Sequence, residues 1–130
     1  MTKEQHIQYW ISNADRDLHR AERCFDDKDF VFCLFCLHLS LEKLIKGLWV
    51  KNNIENHPPR IHNLVRLLDG SPLKLTEDEM VFLSDMNRFQ LEGRYPDYTE
   101  QIFQFCSDEY TKEMLEKGKT LRLCLIKNLQ

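Results

Sequence analysis

At 130 residues, with 42% apolar and 30% charged side chains, the chain is long enough to bury a core and too apolar to be disordered. A formal net charge of −3 lends no support to non-specific nucleic-acid binding, so any such role needs a local basic patch. Five cysteines, an odd number, and a polar start at Met1–His6 without an apolar h-region point to a reduced, cytoplasmic setting; no apolar run reaches the ~18 residues of a membrane span.

Residues 4–26 carry a helical period in Ile7, Trp10, Ile11, Ala14, Leu18, Ala21 and Phe25, with Asp15, Arg16, His19, Glu22 and Arg23 on the opposite face. Asp26-Asp27-Lys28-Asp29 breaks this pattern, and Asp29 is placed to cap the next helix, residues 30–52. There Leu34, Leu37, Leu41, Leu44, Ile45 and Leu48 form one stripe. Phe32, Phe35, Cys36 and Leu39 form a second, which gives way further along the same face to Glu42, Lys43 and Lys46. The first half of this helix is therefore expected to be sandwiched and the second half to be buried on one side only, as in a central bundle helix or one that also lines a dimer interface.

Asn56-His57-Pro58-Pro59 makes a loop that no helix crosses. A short helix follows around Leu64, Val65, Leu67 and Leu68, stopping at Asp69-Gly70. Thr76 and Glu79 form a capping box for a helix reaching about Leu91 and burying Met80, Leu83 and one of Met86 or Asn87. Gly93 and Pro96 end it. Residues 99–106 are ambiguous, with a helical turn around Ile102 and Phe103 as one reading. Ser107 or Asp108 caps a last helix with Tyr110, Met114, Gly118, Leu121, Leu125 and Leu129 as its stripe. The expected fold is all-α: one unit over residues 1–130, an up-and-down antiparallel bundle of four long helices and one short one.

Chemistry-bearing patterns are few. Cys33-x-x-Cys36 could face one metal, but no second ligand pair accompanies it, and two small core residues are the plainer reading. His57 and His62 flank Pro58-Pro59-Arg60; His62 either opens the short helix and bonds across to another helix or serves a ligand. There is no G-x-S-x-G, no glycine-rich phosphate loop and no paired-carboxylate pattern. No cofactor, metal or catalytic group is assigned. The unusual stretch is Arg88-Phe89-Gln90-Leu91-Glu92-Gly93-Arg94-Tyr95-Pro96-Asp97-Tyr98, where two arginines and two tyrosines meet at a helix end. Arginine suits phosphate and tyrosine suits a base; equally, the cations could simply satisfy the helix dipole while the aromatics anchor a loop.

Trp10 with Ala14, Asp15, Leu18 and Ala21, then Leu41-Glu42-Lys43-Leu44-Ile45-Lys46-Gly47-Leu48, then His62-x-Leu64 and Arg94-Tyr95-Pro96-Asp97, together resemble the HEPN family over nearly the whole chain. The resemblance implies a helical bundle, commonly a homodimer. Many members are encoded beside a minimal nucleotidyltransferase and act with it as a toxin–antitoxin or nucleotide-modifying pair. Many others are metal-independent RNases, with an Arg followed four to six residues later by a His. Here Arg88 is followed at that interval by Arg94, which can hold phosphate but cannot move a proton near neutral pH. The expectation is a nucleotide- or RNA-binding module that lacks this dyad, with Arg88, Arg94, Tyr95, Asp97, His62, Lys43 and Lys46 in its site. An RNase with an altered dyad and a purely structural dimeric partner are the alternatives.

Overall fold

The computed structural model describes residues 1–92 and 101–130. α1 (Lys3–Asp26) starts at a reciprocal capping box: Thr2 Oγ1 accepts the Gln5 N–H, and the Gln5 side chain accepts the Thr2 N–H. A tight turn through Lys28, which adopts a positive φ of 61°, leads into α2 (Phe30–Asn52). Asp29 sits at the N-cap position, as its sequence context suggests, but its side chain makes no capping bond. α3 (Leu64–Leu68) is one short turn held by Asn63. α4 (Glu77–Glu92) begins at the Thr76–Glu79 box, α5 (Gln101–Phe105) is again short, and α6 (Asp108–Leu129) is capped by Ser107.

α2 is the axis, packing against each of the other five helices. Its approach to α1 is close because small residues meet there: Ala14 and Ala21 are fully buried, and Ser40 Oγ donates to the Ala14 carbonyl at 2.8 Å. At Gly47 a Cβ would lie 3.5 Å from Trp10 Cβ and 3.2 Å from Leu129 Cδ2, so α1, α2 and α6 converge at that point. The residue pairings give the directions. Ala14 with Ser40 and Trp10 with Gly47 make α1 and α2 antiparallel; Leu37 with Gly118 and Gly47 with Leu129 make α2 and α6 parallel. Phe105 beside Arg88 at one end, and a groove lined by Asp78 and Leu121 at the other, run α4 antiparallel to α6. The long helices thus alternate up and down, as expected.

Lysines close the helix ends. Lys3 Nζ donates to the carbonyls of Val50 and Asn53 and to Asn56 Oδ1, each at 2.7 Å, satisfying the end of α2 from the start of α1. Lys51 Nζ does the same for α6, donating to the Asn128 and Gln130 carbonyls. The Asn53 side chain donates to the Gly70 carbonyl, and Gly70 lies flat on Trp49: a Cβ there would fall 2.1 Å from the indole Cδ1.

α5 is the helical turn that residues 99–106 offer around Ile102 and Phe103, anchored by fully buried Ile102 and by Cys106, 1% exposed. One expectation needs correction: the second half of α2 is not buried on one side only. Glu42 and Lys46 are 4% and 8% exposed, so its charged face is enclosed as well. Among the described residues no helix is long and apolar enough to cross a membrane.

Gly118 tests the packing between α2 and α6. Replacing an exposed helical glycine by alanine adds about 1 kcal/mol of stability. Here the new Cβ would sit 2.7 Å from Cδ1 of Leu37, itself 1% exposed, and overpacking of this kind costs ~1–3 kcal/mol. Gly118→Ala is therefore expected to lower the unfolding free energy in urea titration by about 1 kcal/mol. A gain would mean that Leu37 has room to turn away.

Candidate functional site

Three side chains one helical turn apart on α2, namely His38, Glu42 and Lys46, form a polar row inside the bundle. Glu42 is its centre. Its Oε2 lies 3.1 Å from Lys46 Nζ and its Oε1 lies 2.9 Å from His62 Nδ1. The Lys46 ammonium also sits 5.7 Å from the centroid of the Trp10 ring on α1, a cation–π contact. A buried carboxylate without such partners would cost several kcal/mol.

His62 joins this row from the loop before α3, and its side chain is 44% exposed. The loop is pinned to α4 by Asn87. Its Oδ1 accepts the Leu64 N–H at 2.8 Å, and its Nδ2 donates to Asn63 Oδ1, which in turn accepts the Arg66 N–H. The His62 ring is therefore fixed at both ends: by Glu42 through Nδ1 and by the Asn63–Asn87 clasp through the backbone. With the Glu42 carboxylate as acceptor, Nδ1 carries the proton and Nε2 is the nitrogen left for outside chemistry.

His38 closes the inner end of the row. It is fully buried, Glu42 Oε1 lies 3.9 Å from Nδ1, beyond bonding range, and the His62 backbone and the Asn87 side chain are its other polar neighbours. Burial pushes its pKa down to about 4, outweighing the pull of Glu42 in the other direction. His38 is thus a neutral imidazole inside the core.

The cationic residues expected in the site occupy separate places. Lys46 and His62 converge on Glu42. Lys43 instead pairs at 2.6 Å with Asp17, an α1 carboxylate whose other oxygen holds Arg20 at 2.8 Å. Arg88 is exposed at the far end of α4, one residue after Asn87, with its guanidinium 4.5 Å above the Phe105 ring. Arg94, Tyr95 and Asp97 lie outside the described residues. Sequence reading passed over Glu42, His38, Asn87 and Asp17 as site-forming groups. The spacing of His38, Glu42 and Lys46 was the available signal, and it was obscured by the reading of the Glu42 face as solvated.

The cysteine pair resolves toward its plainer reading. Cys33 and Cys36 are buried, and burial pushes both thiols up to about 12, so neither is a ready thiolate. Among the described residues no three His, Cys, Asp or Glu side chains are grouped to hold a metal ion. His57 packs edge-on against His6 of α1, away from the Glu42 row.

The sequence model of the HEPN domain family matches residues 7–129. The crystal structure of an archaeal HEPN homologue superposes with a TM-score of 0.76 at 21% identity, covering 95% of this chain and 98% of the other, which is a likeness of fold. No curated protein matches the chain.

The neutral state of His38 gives the protein an acid sensitivity of known sign. The folded chain takes this proton near pH 4, the unfolded chain near 6.5. Between those values the unfolded state holds more protons, so stability falls as pH drops through this window and levels off below it. The full effect is about 3 kcal/mol. Urea unfolding at pH 7 and pH 4.5 should show a smaller decline for His38→Gln than for the wild type. Parallel declines would locate the acid sensitivity elsewhere.

Proposed function

Since the chain belongs to the HEPN domain family, we propose that it is a nucleotide- or RNA-binding member, acting as a homodimer beside a minimal nucleotidyltransferase in a toxin–antitoxin-like pair. The observation that carries this reading is the half-exposed His62 held on the buried Glu42–Lys46 pair. Glu42 fixes the His62 ring, so a ligand phosphate meets a side chain whose position is set in advance. In the neighbouring Lys43–Asp17–Arg20 group two cations share one carboxylate, which leaves one positive charge in local excess on a chain of net charge −3.

Arg88 fits the same reading. Its guanidinium carbon sits 4.5 Å from the Phe105 ring centroid, and a guanidinium offers a planar fork for phosphate or a platform for a base. Arg94, Tyr95 and Asp97 complete the proposed site on sequence grounds, with Arg94 where the RNases of the family carry histidine. Binding without the usual cleavage follows from that substitution, because arginine stays protonated.

A second reading, an RNase with an altered dyad, is favoured by one specific feature. A histidine whose Nδ1 is fixed on a carboxylate has Nε2 available to take a proton.

Fluorescence anisotropy with a labelled single-stranded RNA and with a fluorescent ATP analogue tests the first reading. We expect binding by the wild type and about tenfold weaker binding by His62→Ala and by Arg88→Ala. Unchanged affinity in both variants would remove these residues from the site. The same RNA incubated with the protein in EDTA is expected to stay intact. Cleavage that disappears in His62→Ala would establish the second reading instead.

A further inference from the structure

α4 and α6 both pack on α2 but not closely on each other, and an open groove of about 680 Å³ runs between them. Its floor is apolar: Phe82, Met114 and Leu121 are nearly buried, and Val81 is 54% exposed. Its rim is acidic. Asp78 and Asp85 project from α4, and Glu113 and Glu116 from α6. Glu79 also borders it, but its carboxylate is engaged in the α4 capping box. Among the described residues one cation, Lys117, lines the groove and is paired with Glu113 at 3.0 Å. Of these residues five carboxylates thus face one ammonium, a surplus of four, whereas the surplus over the whole chain is three. The groove holds the negative charge that the rest of the molecule lacks.

Ordinary helix electrostatics explains only part of this. Asp78 and Glu79 stand in the first turn of α4, where the dipole favours them. Asp85, Glu113 and Glu116 stand within their helices, on two different elements, facing the same apolar strip. Like charges gathered this way oppose one another until a cation arrives.

We propose that this groove docks a short basic amphipathic helix of a partner protein, with apolar residues on the Val81–Phe82–Met114 floor and lysine or arginine against Asp78, Asp85, Glu113 and Glu116. Asp78 and Asp85 are two helical turns apart, about 10 Å, which sets the length of the docked segment. Nucleic acid is repelled from this rim, so the inference stands apart from the nucleotide-binding reading. A second copy of the chain fits less well. Its basic helix face, Arg16 to Arg23, exposes only polar side chains, which would meet the rim and leave the floor empty. Such a contact would also be head-to-tail and continue as an open chain.

The test uses a labelled lysine–leucine peptide of about 14 residues, long enough to form a helix, with leucines on one face, and a scrambled peptide of the same composition. The wild type is expected to bind the amphipathic peptide about tenfold more tightly than the scrambled one, less so at high salt. Asp85→Lys with Glu116→Lys, and separately Val81→Glu, should lose about tenfold in affinity. Asp26→Lys with Asp27→Lys, the same charge change at exposed positions on the end of α1 and in the turn after it, should lose little. Circular dichroism checks that each variant folds. Equal binding of both peptides, or equal loss in the two double variants, would reduce the effect to net charge and overturn the proposal. Head-to-tail growth in light scattering that Asp85→Lys with Glu116→Lys abolishes would overturn it in favour of a second copy.

Discussion

A carboxylate enclosed by a central helix bundle has to be paired, and that constraint at Glu42 organises the surroundings of α2. Lys46 supplies the compensating charge from the same helix, and His62 supplies a second hydrogen bond from a loop that would otherwise be held by Leu64 and the Asn63–Asn87 clasp alone. Trp10 of α1 covers the ammonium. One buried charge thus ties α1, α2, the loop before α3 and, through Asn87, α4 into a common geometry. An apolar residue of similar volume in place of the whole network would cost little or even stabilise the fold. What the charged version supplies is a fixed direction for the half-exposed His62.

Much of this was legible in the sequence because long amphipathic helices advertise themselves. The limits of α2, the break at Asn56–Pro59, the Thr76–Glu79 box and the Ser107 cap all follow from period and punctuation. The errors have a common cause. Periodicity reads charge as exposure, and Glu42 and Lys46 break that rule because each is the other's partner. Asp17 breaks it for the same reason, buried against Lys43 and Arg20. Pairing across helices depends on which faces meet, and a single sequence does not state that. α5 stayed ambiguous for a simpler reason, since one turn of helix has too few residues for a period to settle it. Of the candidate site, His62, Lys43 and Lys46 carry recognisable chemistry, but their grouping around Glu42 and Asp17 emerges only in three dimensions, and Arg88 stands apart beside Phe105.

Charge is distributed unevenly over the molecule. From Lys3 to Asn52, which spans α1 and α2, eight cations balance eight carboxylates, with one cation in local excess where Lys43 and Arg20 share Asp17, while the α4–α6 groove carries the surplus of acid. The small net charge is therefore concentrated on one side, where it repels anions and favours cations.

The two tryptophans sit in very different places, and this gives the protein a built-in optical reporter. Trp49 follows Lys46 by three residues on α2 but is clamped against the Gly70 backbone, and a Trp49→Phe variant removes its emission from the signal. Trp10 lies beneath the Lys46 ammonium. A ligand that draws Lys46 toward itself changes the field on that indole and hence its fluorescence, so occupancy of the buried row can be followed without any label.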